Sequence, residues 1–109
     1  MAAAFRLGRD VVVPAVVLAE LYRGRGHDQL LDACLSRETG IGVRSTDRSL
    51  ARLVGGILAT ARAGSSFLAD AHVVAAAVEL GGGVVLTADP ADLRRLSAPY
   101  RNVTIVDIG

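Results

Sequence analysis

Residues 65–93, SSFLADAHVVAAAVELGGGVVLTADPADL, constrain this chain more than any other stretch. The spacing predicts a helix over about residues 67–80, closed by the three glycines 81–83. A uniformly apolar strand follows at residues 84–87, as suits a strand covered on both faces. Asp89-Pro90 then opens a short helix to about Leu96, with Pro at the first helical position. One aspartate, Asp70, stands at the start of the first helix, and another, Asp89, stands just past the strand. Whether they cap helices or hold a metal ion is the functional question.

The rest of the chain extends the same alternation. Residues 1–9 are too short to classify, and the end of a helix is one reading of them. The β-branched run 11–13 predicts a buried strand, and Pro14 suits the first turn of a helix reaching about Arg23. That helix carries Val17, Leu18 and Leu21 on one stripe, flanked by Glu20, and ends at Gly24 and Gly26. Asp28 is expected to cap a second helix bearing Leu30, Leu31, Cys34 and Leu35, which stops near Gly40. A weak strand at 41–44 precedes Ser45, Thr46 and Asp47, helix-start chemistry for a long helix to about Ala63. Its inward face is Leu50, Leu53, Val54, Ile57, Leu58 and Ala61. Ser65 and Ser66 read as caps of the next helix, and residues 103–108 as the last strand. Helices alternating with short buried strands indicate one α/β domain over residues 1–109, a sandwich around a mainly parallel sheet.

Composition narrows the class. With 51% hydrophobic and 21% charged residues the chain is globular, and a net charge of +1 points to no class of partner. All twelve basic residues are arginine, which suits bidentate phosphate contacts but also follows from compositional bias in an Ala-, Gly- and Val-rich chain. Cys34 is the only cysteine, so no internal disulfide forms and a reducing compartment is expected. Arg6 and Arg9 precede an apolar run, but Pro14 interrupts it and Glu20, Leu21 and Tyr22 continue a helix, unlike a signal peptide. No apolar run reaches the length of a membrane span, and a cytoplasmic protein is expected.

Three acids could carry chemistry. Asp70 shares a helical stripe with Val73, Val74 and Ala77, where a carboxylate is costly unless capped, paired or metal-bound. A first-turn acid favoured by the helix dipole is the alternative. Asp89 lies where ligands gather in open α/β sheets, beyond the carboxyl end of a strand, yet Asp before Pro is also an orthodox N-cap. Asp92 could complete a capping arrangement, and Glu20 could simply reach solvent. Taken together, carboxylates that share a site repel one another, and a hard divalent cation relieves that repulsion. Oxygen-only ligands favour Mg²⁺ or Mn²⁺, which activate water and stabilise charge on a phosphate during hydrolysis. His27 and His72 make no zinc pattern. Arg23 and Arg25, near the end of the Glu20 helix, are candidate nucleic-acid phosphate contacts or, more simply, a solvated face.

The segments VVVPAVVLAELYRG, LADAHVVAAAVELGGGVVLTADPADLRRL and VTIVDI, in that order, resemble a PIN domain, most closely the VapC-type toxins of bacterial toxin–antitoxin pairs. The resemblance covers nearly the whole chain from Val11 onward. It implies a PIN-like three-layer α/β sandwich and hydrolysis of RNA phosphodiester bonds with acid-bound Mg²⁺ or Mn²⁺. By motif, Glu20, Asp70 and Asp89 would be the catalytic metal-site acids, Asp92 an outer member, and Thr87 a residue orienting the site from the strand end. The implied partners are an RNA substrate, a small VapB-like antitoxin and a second copy in a homodimer, with no membrane.

One departure matters. PIN domains begin with a central strand ending in an aspartate, typically in a D-T/S-S/N sequence, and nothing here matches it; Asp10 precedes the strand that should come second. The expected sheet therefore lacks its first, central strand, through a late start codon, a fragment, or a truncation whose gap another chain fills. The absent carboxylate puts activity of this 109-residue form in question. The second reading is a non-catalytic, degenerate PIN domain that binds an antitoxin or RNA. A third is an unrelated α/β domain whose acids are caps or surface groups.

Overall fold

The computed structural model describes residues 3–5, 11–22, 24–37, 41–87 and 89–109. Five strands, β1 (Ala3–Phe5), β2 (Val11–Pro14), β3 (Ile41–Arg44), β4 (Gly83–Thr87) and β5 (Val103–Asp107), form a sheet in the order β3-β2-β1-β4-β5. Five α-helices connect them: α1 (Ala15–Leu21), α2 (Arg25–Arg37), α3 (Arg48–Ala61), α4 (Leu68–Glu79) and α5 (Pro90–Ser97). A turn of 3-10 helix, Ser65–Phe67, leads into α4.

Two parallel pairs make up the sheet, β2 with β3 and β4 with β5. They are joined through β1, which runs antiparallel to both β2 and β4. The expectation that the central strand is lacking is thereby corrected. Ala3–Phe5 stand in that place, although in the opposite direction to the other four strands. The reason is backbone chemistry: β2 and β4 present amide and carbonyl groups toward each other, and buried groups of that kind require partners. The same observation corrects the helical reading of the first nine residues for Ala3–Phe5; Arg6, Arg9 and Asp10 lie outside the described residues.

The core sits between the sheet and α4. This helix is almost wholly apolar, with Ala71 to Ala77 all buried, and packs on β1, β2, β4 and β5. On β4, buried Val85 and Thr87 alternate with half-buried Val84 and Leu86, so one face of the strand is the core side. Leu50, Val54 and Ile57 of α3 and Leu93 and Leu96 of α5 complete the core around α4. The predicted inward stripe of α3 is thus observed, with Leu53, Leu58 and Ala61 half-buried at its margins. Burying side chains of this size contributes about 1.5–3 kcal/mol each, so these helices fix α4 firmly against the strands.

Local chemistry sets the ends of the elements. Asp47 caps α3 by accepting from the Leu50 amide at 2.9 Å. The carboxyl end of α4 closes in a Schellman motif: Gly81 N–H donates to Val78 O at 3.0 Å and Gly82 N–H to Ala77 O at 2.9 Å. Both glycines have positive φ, 84° and 113°, and a Cβ on Gly82 would lie 2.6 Å from Asn102 O. Two helix starts differ from expectation. Asp28 lies inside the first turn of α2 and reaches back to accept from Gly24 N–H at 3.3 Å. Ser65 and Ser66 cap nothing: the residues before the 3-10 turn and before α4 are Gly64 and Phe67, and neither start has a side-chain cap.

Candidate functional site

Because β1 is antiparallel to both β2 and β4, those two strands point the same way and their carboxyl ends share one edge of the sheet. Helix α1, with Glu20, follows the end of β2; Asp89 and α5, with Asp92, follow the end of β4. Helix α4 enters β4 through the short glycine turn, so its amino end, with Asp70, lies at that same edge. Contact between α1 and α4 and between α4 and α5 closes the arrangement. Four carboxylates from three elements and one loop are thus brought to one end of the sheet, where open α/β sheets bind ligands.

The electrostatics of Asp70 record that convergence. Burial of this half-buried carboxyl is the first cause that raises its pKa above the ordinary carboxylate value, followed by the charges of Asp92, Glu20 and Asp89 in that order. Among the described residues no cation or amide offsets them. Among the described residues, the side chains of Glu20, Asp70, Asp89 and Asp92 have no hydrogen-bond or ion-pair partner. The other described acids all have one. Asp28 accepts from Gly24 N–H, Asp32 from the Tyr22 hydroxyl at 2.5 Å, and Asp107 from Gly109 N–H at 3.0 Å. Asp47 and Glu79 both pair with Arg44.

These contacts separate capping from the alternative. Asp89 occupies the cap position before Pro90, but its carboxylate caps nothing. Its backbone N–H instead donates to Thr87 Oγ1 at 3.0 Å. Thr87 is buried, and its carbonyl accepts from Ile108 N–H at 2.9 Å, so it fixes the turn from β4 toward α5. Asp92 makes no cap bond either, and Asp70 stands in the first turn of α4 with the same freedom.

The donor set is oxygen only and suits a hard divalent cation. Among the described residues, however, no three His, Cys, Asp or Glu side chains lie close enough together to hold a metal ion as they stand. The acids interact through their charges at a longer range than ligation. Glu20 and Asp89 are exposed, and nothing among the described residues restrains their side chains.

The remaining candidates fall elsewhere. Arg23 and the side chains of Arg25, His27 and Cys34 lie outside the described residues. His72 is buried on α4, with Nδ1 2.7 Å from Leu68 O and Nε2 without a partner among the described residues. One contact at the junction of α4 and α5 was not legible in the sequence. Arg95, one turn after Asp92 on α5, lies over the ring of Phe67, three residues before Asp70, with 5.2 Å between guanidinium carbon and ring centroid. Only the packing of α5 against the start of α4 brings these two together.

No family model, curated protein or solved structure matches the chain. Among the described residues no helix is long and apolar enough to cross a membrane.

Proposed function

We propose that this chain is a PIN-like, metal-assisted ribonuclease domain of the VapC type, with its acidic site at the carboxyl ends of β2 and β4. The observation that carries this reading is the segregation of the acids. The other described acids have hydrogen-bond or ion-pair partners, Asp107 at the end of β5 included, whereas Glu20, Asp70, Asp89 and Asp92 gather at one edge with none among the described residues. Unrelieved like charge is destabilising, so a folded chain that keeps four such groups together keeps them for a ligand. A three-layer PIN arrangement is part of the same proposal.

In this reading Glu20, Asp70 and Asp89 hold Mg²⁺ or Mn²⁺, with Asp92 at the margin. A bound ion of this kind lowers the pKa of attacking water and stabilises the charge that develops on the phosphate. The chain's own residues do the rest. Asp70, anchored on a helix packed into the core, is the fixed member of the set. Thr87 holds the turn that presents Asp89. Glu20 and Asp89, exposed and without a partner among the described residues, are the members able to close on an ion. The proposed partners are an RNA substrate, a small antitoxin and a second copy of the chain.

The test is cleavage of a structured RNA with Mn²⁺ by the chain and by its Asp70→Asn variant. Cleavage that the substitution reduces by about 100-fold or more supports the reading; equal cleavage by both removes the proposed site. The second reading, a domain that binds an antitoxin or RNA without cutting, rests on the same acids failing to approach within ligating distance. It predicts RNA or partner binding with no metal-dependent cleavage.

A further inference from the structure

We propose that Arg95, seated on the ring of Phe67, is a phosphate-binding group that holds the RNA backbone beside the acidic edge. The inference rests on the ribonuclease reading and adds a substrate contact to it. Its position follows from two chain segments: Asp92 precedes Arg95 by one turn of α5, and Phe67 precedes Asp70 by three residues into α4. The guanidinium that stacks on this ring therefore sits at the α4–α5 junction, on the helix that carries Asp92 and against the residue that leads into the helix of Asp70.

Its bonding sets it apart from the other well-held arginine. Arg44 is spent on Asp47 and Glu79. Arg95 forms no ion pair with any described acid, although Asp92 precedes it by one turn of α5. Nη2 donates to Ala61 O at 3.0 Å and Arg62 O at 3.3 Å, the free carbonyls at the end of α3. Nε and Nη1 have no partner among the described residues, and the side chain is exposed. The planar cation is thus held at one corner and across its face, and its remaining donors are open to an incoming anion. A fork fixed in this way loses little further entropy on meeting a phosphate. Arg62, the described non-glycine residue with positive φ (52°), supplies one of these two carbonyls from the end of α3.

Capping of α3 is the competing role of Arg95, and salt dependence separates the two. Binding of a fluorescein-labelled RNA hairpin to the full chain is measured in EDTA, which prevents cleavage, across a range of salt concentrations. Arg95→Gln is compared with Arg101→Gln, a change of equal charge in the turn before β5, at the opposite end of that strand pair from Thr87. The expected result is about tenfold weaker binding for Arg95→Gln, with a slope of log K against log salt shallower by about 0.7 to 1. Arg101→Gln changes neither. Phe67→Leu keeps the cation and removes its platform, so it weakens binding by a smaller factor at unchanged slope. This second variant reports on the contact even if Arg95→Gln does not fold. Equal slopes for the two arginine variants, or unchanged binding by Phe67→Leu, overturn the role of Arg95 while leaving Mn²⁺-dependent cleavage and its loss in Asp70→Asn intact. Absence of RNA binding by the unsubstituted chain overturns both.

Discussion

The two ends of α4 treat their carboxylates in opposite ways. At the carboxyl end, Glu79 receives Arg44 through Nε at 2.6 Å and Nη2 at 3.2 Å, and Arg44 also reaches Asp47, the cap of α3. At the amino end, Asp70 faces Asp92, Glu20 and Asp89, and no cation among the described residues pairs with any of them. One end ties β3, α3 and α4 together by pairing charge; the other gathers charge and leaves it unpaired. The comparison separates two uses of charge in the same helix: the paired end is a joint, and the unpaired end is where the proposed site lies.

The largest expected effect is on activity at the unpaired end. Each of Asp70→Asn and Asp89→Asn is expected to lower Mn²⁺-dependent RNA cleavage by about 100-fold or more, without loss of fold by circular dichroism. The joint gives the next largest effect, and it is on stability alone. Gly82→Ala places a Cβ 2.6 Å from Asn102 O at a φ of 113°, and such a position costs about 1–3 kcal/mol of unfolding free energy. Urea denaturation would show this loss, while the response of the remaining folded protein to Mn²⁺ stays the same. Arg44→Gln frees Glu79 and Asp47 together and lowers the melting temperature more modestly. The pair is partly exposed, so the difference shrinks when the melt is repeated in about 1 M salt, where screening reaches a few ångströms.

The smallest effect is a matter of sign with pH. The Leu50 amide, then Arg44, hold Asp47 below the ordinary carboxylate range. Its contribution to stability is therefore present above its unfolded pKa and fades as pH falls through the folded value. Asp70 is displaced upward, so the folded state binds its proton more tightly than the unfolded chain does. Stability from that group is present below the unfolded pKa and is lost as pH rises through the folded one. Melting curves from about pH 3 to pH 7 should show Asp47→Asn least impaired at the acid end and Asp70→Asn most improved at the neutral end. Parallel profiles for the two variants would erase the distinction between the two ends.

What the sequence made legible follows the reach of each rule. The Asp47 cap and the glycine closure of α4 were readable because each depends on residues within one turn. The apolar stripe of α3 was readable from its period. Ala3–Phe5 was not, because a three-residue strand has no pattern of its own and acquires its place only from β2 and β4. Asp89-Pro90 reads identically whether the carboxylate caps or stays free, and only the Thr87 hydroxyl taking the Asp89 amide decides it. Ser65 and Ser66 carried the composition of caps, but the turn begins at Gly64 and passes to α4 through Phe67. The Arg95–Phe67 contact needed the packing of α5 near the end of α3 and the start of α4. The four acids could be placed at strand and helix ends from sequence; that they alone lack partners among the described acids is a property of the folded chain.

Thermal melting with and without Mn²⁺, on the chain and on Asp70→Asn, tests the central claim most directly. Without metal, Asp70→Asn should melt above the unsubstituted chain, because it removes a half-buried charge opposed by three others. With Mn²⁺ at ten times its dissociation constant, linkage adds about 1.4 kcal/mol to the unsubstituted chain. Each kcal/mol moves a domain of about this size by roughly 4–8 °C, so its melting point should rise clearly while that of Asp70→Asn stays in place. If Asp70→Asn melts at or below the unsubstituted chain without metal, and Mn²⁺ shifts both equally, the unpaired end of α4 is not a metal site.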